Sequence, residues 1–91
     1  MSFHLSGRLI CASPSEAARV RAHLPEHTRL TRAEPGCVAF EVRPTEDPLV
    51  WALDEEFADR AAFEAHQART GASDWARETA GITRDYRTWE A

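Results

Sequence analysis

The chain has 91 residues, 43% of them hydrophobic, with 15 acidic side chains against 11 basic ones and a formal net charge of −4. That length fits one domain, residues 1–91, which buries only about 60–65% of the surface its unfolded chain exposes, so covering a further apolar face by dimerisation would help it. The mild acidity and the lack of a basic run exclude nucleic acid and anionic membrane surfaces as expected partners, and no apolar stretch approaches the roughly 20 residues of a membrane span.

The N-terminus also lacks the basic-then-apolar layout of a secretory signal. Cys11 and Cys37 are isolated, with no CxxC spacing. They read as free thiols of a cytoplasmic protein, with a disulfide as the second reading.

Residues 2–11, SFHLSGRLIC, alternate as a strand does, with Phe3, Leu5, Leu9 and Cys11 on one side and His4, Ser6, Arg8 and Ile10 on the other. SPSE (13–16) spells a helix start: Ser13 as N-cap, Pro14 at the first helical position, Glu16 as the reciprocal cap. Val20 and Leu24 carry the apolar stripe of that helix. Pro25 is expected to break or kink it, with residues 25–33 resuming as a second helical piece. EPG (34–36) is a turn.

CVAFEVR (37–43) predicts a strand with Val38, Phe40 and Val42 facing the core and Cys37, Ala39, Glu41 and Arg43 opposite. The turn formers PTEDP (44–48) lead to LVWALDEEF (49–57), whose Leu49, Trp51, Leu53 and Phe57 share a face. The short connection implies an antiparallel hairpin. A helix follows from about Asp59 to Thr70, with Gly71 placed to cap its C-terminus, then a short helix within 73–81 capped by Ser73. ITRDYRTW (82–89) closes as a strand rich in β formers.

The order is βαββαβ, an α+β ferredoxin-like plan with both helices on one side of a four-stranded antiparallel sheet. The opposite sheet face would carry Ile10, Ala39, Val50 and Ala52 beside His4, Arg8, Glu41 and Asp54. That face is apolar enough for an isologous homodimer to cover it.

Within the helix RAAFEAHQARTG (60–71), Ala62, Phe63, His66 and Thr70 fall on one stripe. Phe63 must face the core, so His66 is aimed there too. The plain alternative for such a histidine is a structural side chain satisfied by one backbone carbonyl.

Two stretches carry a family resemblance. LTRAEPGCVAFEV (30–42) resembles the helix-to-strand signature of the antibiotic biosynthesis monooxygenase family, a Glu-Pro-Gly-Cys turn leading into an aromatic-Glu strand. VWALDEEFADRAAFEAH (50–66) is similar to its second signature: a strand ending Glu-x-aromatic, then a helix with an aromatic three residues before a His. The likeness runs from Phe3 to Trp89. It implies chains that pair sheet to sheet as dimeric α+β barrels, and it implies a pocket more firmly than a reaction. Some members oxidise quinols or polycyclic phenols with dioxygen and no cofactor, others bind and degrade haem, and one branch isomerises a small phosphorylated sugar-like compound.

On that resemblance the pocket lies between helices and sheet, and His66 matches the helix histidine pointing into it. Trp51, Phe40, Phe63 and Trp75 are the expected substrate-binding walls, and Gly7 would leave room for a ligand. Trp51 and Phe40 serve equally well as core. His27 reads as a pocket neighbour or a half-exposed helix residue, and His4 as an interface residue. Tyr86 sits on a strand of ambiguous parity. Glu34 reads as a turn cap, the Asp54-Glu55-Glu56 run as a solvated strand end, and Arg69 as a solvated side chain. Haem-degrading members carry an Asn and a Trp where this chain has Gly7 and His66, which argues against haem degradation.

The first expectation is therefore a cofactor-independent monooxygenase, free of metal, that oxidises a quinol, polyphenol or similar small aromatic with dioxygen. His66 would be its base, since an imidazole titrates near neutral pH. A non-catalytic dimeric barrel that binds a small aromatic metabolite is the second reading, and a small-molecule isomerase the third. The isomerase would need a second acid or base beside His66 and an inward arginine.

Overall fold

Four strands and three helices follow one another in the computed structural model, which describes residues 1–91. They are β1 (Phe3–Ile10), α1 (Pro14–Arg32), β2 (Cys37–Pro44), β3 (Val50–Phe57), α2 (Arg60–Gly71), α3 (Asp74–Glu78) and β4 (Thr83–Glu90). The strands form one antiparallel sheet in the order β2-β3-β1-β4. This is the βαββαβ ferredoxin-like arrangement the patterning predicts. No helix is long and apolar enough to cross a membrane.

The core lies between the helices and one sheet face, where β1 supplies Phe3, Leu5 and Leu9 and β3 supplies Trp51, Leu53 and Phe57. Val20 of α1 and Trp75 of α3 close over them. Each such side chain, fully buried, contributes about 1.5–3 kcal/mol of transfer free energy.

Helix α1 is capped as expected at its start. The Ser13 hydroxyl accepts from the Glu16 N–H at 3.2 Å, and the Glu16 carboxylate accepts from the Ala12 N–H at 2.7 Å. Pro25 does not divide it, and the 19 residues form one helix. The reason lies in spacing. Ala17, Val20, His27 and Thr31 are buried, with Leu24 partly so, a single inward stripe that runs past Pro25 while Pro25 itself faces solvent. Packing on both sides of the proline outweighs the one backbone hydrogen bond it removes.

Strand β2 departs from simple alternation. The register with β3 shifts between Cys37 and Ala39, so Cys37 lies opposite Phe57 while Ala39 lies opposite Glu56. A bulge of this kind turns one residue out of the ladder. Val38, expected in the core, is 58% exposed, and Cys37 rather than Val38 shares the inward side with Phe40. Gly71 belongs to the last turn of α2, and the C-cap is Ala72.

Gly7 has a different purpose from the one expected. A Cβ there would lie 2.1 Å from the Asp85 carbonyl oxygen and 2.8 Å from the Tyr86 Cα. The glycine lets β4 approach β1; it does not line the helix–sheet cavity.

Candidate active site

The turn 34–36 docks onto α2, and that contact builds the site. A Cβ on Gly36 would sit 2.3 Å from the Ala62 Cβ, so only glycine lets the turn come this close. The Ala58 N–H donates to the Gly36 carbonyl at 2.8 Å and pins it there. His66 lies one helical turn beyond Ala62, on the same face. Glu34 is thereby carried onto the imidazole: His66 Nδ1–H donates to Glu34 Oε1 at 2.8 Å. The other carboxylate oxygen accepts from Arg69 Nε at 2.8 Å, and Arg69 also donates to the Thr31 hydroxyl at 3.0 Å. Glu34, read from the sequence as a turn cap, and Arg69, read as solvated, are both part of this chain of contacts.

A carboxylate that can only accept fixes the tautomer, leaving Nε2 of the neutral ring with its lone pair. His66 is 3% exposed. Burial lowers its pKa below the usual 6.5, although the Glu34 carboxylate pulls it back upward. Nε2 faces the Thr70 hydroxyl at 3.4 Å and Glu55 Oε1 at 3.8 Å.

Glu55 overturns the reading of its acidic run as a solvated strand end. It alternates with Trp51, Leu53 and Phe57, so β3 points it inward, and it is 7% exposed. Burial, helped by the charge of Glu34, pushes its pKa up to about 7. Asp54, one residue away, faces outward to Arg43 and Ser6, each at 2.8 Å, which holds its pKa low.

His66 and Glu55 open on a cavity of about 360 Å³ between the helices and the sheet, whose other walls include Leu5, His27, Trp75, Arg84 and Tyr86. Of the expected walls, Trp75 lines this cavity; Trp51, Phe40, Phe63 and Gly7 do not. Trp51 belongs to the core cluster. Phe63 packs on Phe3 and Phe57, with ring centroids 4.6 and 5.7 Å away. Phe40 stands 6.2 Å from the His66 ring and edge-on to His27.

His27 is buried and lies flat on Trp75, the rings 4.6 Å apart and 2° from parallel. Burial first, and then the neighbouring His66, Arg69 and Arg84, lower its pKa to about 3, so it is neutral at any ordinary pH. Tyr86 pairs with Gly7 and turns inward, which settles its parity; burial pushes its phenol up to about 12.

The family model described as antibiotic biosynthesis monooxygenase matches residues 8–78. The chain belongs to the antibiotic biosynthesis monooxygenase family. Solved structures agree with its fold. A Deinococcus radiodurans protein described provisionally as an antibiotic biosynthesis monooxygenase is 25% identical, with a TM-score of 0.80 over 100% of this chain and 92% of its own. SnoaB of Streptomyces nogalater, a cofactor-independent oxygenase, is 15% identical with a TM-score of 0.81 over 99% and 92% of the two chains. Rv0793 of Mycobacterium tuberculosis is 19% identical with a TM-score of 0.78 over 100% and 95%. No curated protein matches the chain in sequence. In this member of the antibiotic biosynthesis monooxygenase family, the two signature stretches meet physically. Glu34 of the first hydrogen-bonds His66 of the second.

Proposed function

We propose that this protein is a cofactor-independent monooxygenase acting on a small quinol or phenol, with His66 as the base. What supports the reading most is the buried Glu34–His66 pair, which offers an oriented Nε2 lone pair to a cavity with aromatic and apolar walls. Its family membership and its likeness in fold to a cofactor-independent oxygenase add weight.

In the proposed step His66 Nε2 takes the proton of a ring hydroxyl. The resulting anion is electron-rich enough to reduce dioxygen. One oxygen atom enters the ring and the other leaves as water with two substrate hydrogens, and the ring, which gives up four electrons that no cofactor provides, ends as a quinone. Trp75 would stack a flat ring, and the apolar walls would limit water around the anion. The cavity volume suits a small aromatic ring system.

The sheet face opposite the helices is the proposed contact with a second copy, giving a dimeric barrel. It presents Val50, Ala52 and Ile10, all partly buried, and a His4–Trp89 stack with centroids 5.1 Å apart.

An isomerase is the second reading. It is favoured by Glu55, an acid or base 3.8 Å from His66 Nε2, and by Arg84 in the same cavity wall. Oxygen uptake decides between them. A panel of quinols should consume dioxygen with the wild type and far less with His66→Ala. Turnover without oxygen uptake would favour the isomerase, and binding without turnover a non-catalytic aromatic-binding barrel.

A further inference from the structure

We propose that His66 and Glu55 together clamp one hydroxyl oxygen of the ligand, Nε2 accepting its proton while the Glu55 carboxyl group donates to the same oxygen. The clamp presupposes the phenol-binding cavity proposed above and specifies how that cavity would recognise a hydroxylated ring.

Geometry supplies the first support. Nε2 and Glu55 Oε1 are 3.8 Å apart, beyond a direct hydrogen bond, yet an oxygen about 2.8 Å from each atom bridges them. Both side chains line the cavity, so the gap borders the space a ligand would fill. Second, Glu55 Oε1 is buried with no hydrogen-bond partner of its own. Such groups in native structures have partners that arrive with a ligand or water, because burying them unpaired is costly. Third, the Thr70 hydroxyl sits 3.4 Å from Nε2, a long contact that a ligand hydroxyl can displace.

The protons balance. Before transfer, the ring hydroxyl donates to Nε2 and accepts from the Glu55 carboxyl. After transfer, the imidazolium lies between the Glu34 carboxylate and the new oxyanion, and Glu55 keeps its proton and stabilises that oxyanion. A carboxylic acid held neutral in an apolar site acts in this way in ketosteroid isomerase.

The groups facing Glu55 are His66 from α2, Glu34 from the turn before β2, Cys37 from β2, whose thiol burial raises above its usual 9.0, His27 from α1, and Tyr86 and Arg84 from β4. His27 is neutral above about pH 3 and Tyr86 below about pH 12. Near neutral pH, therefore, Glu55 is the group beside the gap that titrates, while burial holds the His66 pKa below 6.5. His66 must be neutral to accept, and Glu55 must be protonated to donate, so hydroxyl binding should weaken once pH drops through the His66 pKa and again above about pH 7.

The experiment is anaerobic titration calorimetry with p-cresol, whose hydroxyl ionises near pH 10 like the tyrosine ring it copies. Wild-type affinity should fall up to about tenfold per pH unit once Glu55 ionises, above about pH 7. Glu55→Gln keeps an N–H donor that does not titrate, so it should bind p-cresol with no loss from pH 7 to 9. Glu55→Leu, with no donor, should bind roughly 3–10-fold more weakly at its best pH. Circular dichroism checks folding, and the isosteric Gln variant carries the test alone if the Leu variant does not fold. An alkaline fall that persists in Glu55→Gln, or is absent from the wild type, would overturn the clamp while leaving the phenol pocket standing. Failure of folded wild type to bind p-cresol at any pH would overturn the pocket reading, and the clamp with it.

Discussion

His66 is tied to Glu34 through Nδ1 while Nε2 faces the cavity, the arrangement that the proposed base requires. If it is a base, His66→Ala should slow phenol oxidation by about 10²–10⁴-fold. The wild-type rate should fall as pH drops through the folded pKa, which burial places below 6.5, because protonation removes the accepting lone pair. That acid limb should vanish in the variant. A structural histidine would instead cost on the order of 1 kcal/mol of stability and leave turnover per folded molecule unchanged. On the same proposal Glu34 would act through His66 as a positioning residue. Glu34→Gln removes the charge that raises the imidazole pKa, so the acid limb should move to lower pH while the maximal rate falls; a steady-state pH profile reads both. For Glu55 the prediction concerns stability. Its folded pKa, about 7, lies above the ordinary 4.5, so the native state binds the extra proton between those values. Stability contributed by the neutral form is present below about pH 4.5 and lost as pH rises through 7. Glu55→Gln should therefore raise the melting temperature at pH 8 and change it little at pH 4, measured by calorimetric melting.

At the scale of elements, what was legible depended on how local the cause was. Strand alternation and helix spacing placed all four strands, α2 and α3 within a residue or two. Alternation also held the signal for Glu55, since 49, 51, 53, 55 and 57 form one row, but a carboxylate inside an apolar row reads as a frayed, wet end. The stripe Ala17, Val20, Leu24, His27, Thr31 likewise crosses Pro25 unbroken, so the continuity of α1 was present in the pattern. Other features had no local cause. Glu34 and His66 are 32 residues apart and meet only because Gly36 seats on Ala62. The bulge at Val38 depends on how β2 registers against β3. The aromatics Trp51, Phe40 and Phe63 are set into core or pocket by the tilt of the helices, which periodicity does not encode. Two substitutions test the packing claims by thermal melting. Pro25→Ala should stabilise α1, by up to about 3 kcal/mol, because a solvent-facing alanine restores the missing N–H. Gly7→Ala should destabilise markedly, since the new methyl meets β4 backbone, which cannot swing away as a side chain would.

For the whole molecule, light scattering at micromolar concentration should give the mass of a homodimer, and a monomeric mass would remove the proposed sheet-to-sheet contact. The bulged strand bears on how two copies would meet in the proposed dimer. The sheet ends in β2 on one side and β4 on the other. Strand β2 is interrupted at Val38 and finishes at Pro44, which has no N–H to offer a newcomer. Half the residues of β4 are charged: Arg84, Asp85, Arg87 and Glu90. Neither rim offers a long, flat row of backbone donors and acceptors on which another strand can grow. Ribbon-like extension, the first step toward amyloid, is thereby discouraged at both borders, which leaves the broad face for the proposed contact, a closed pair. Concentrated solutions should hold a discrete particle of constant size, without a slow rise in thioflavin fluorescence.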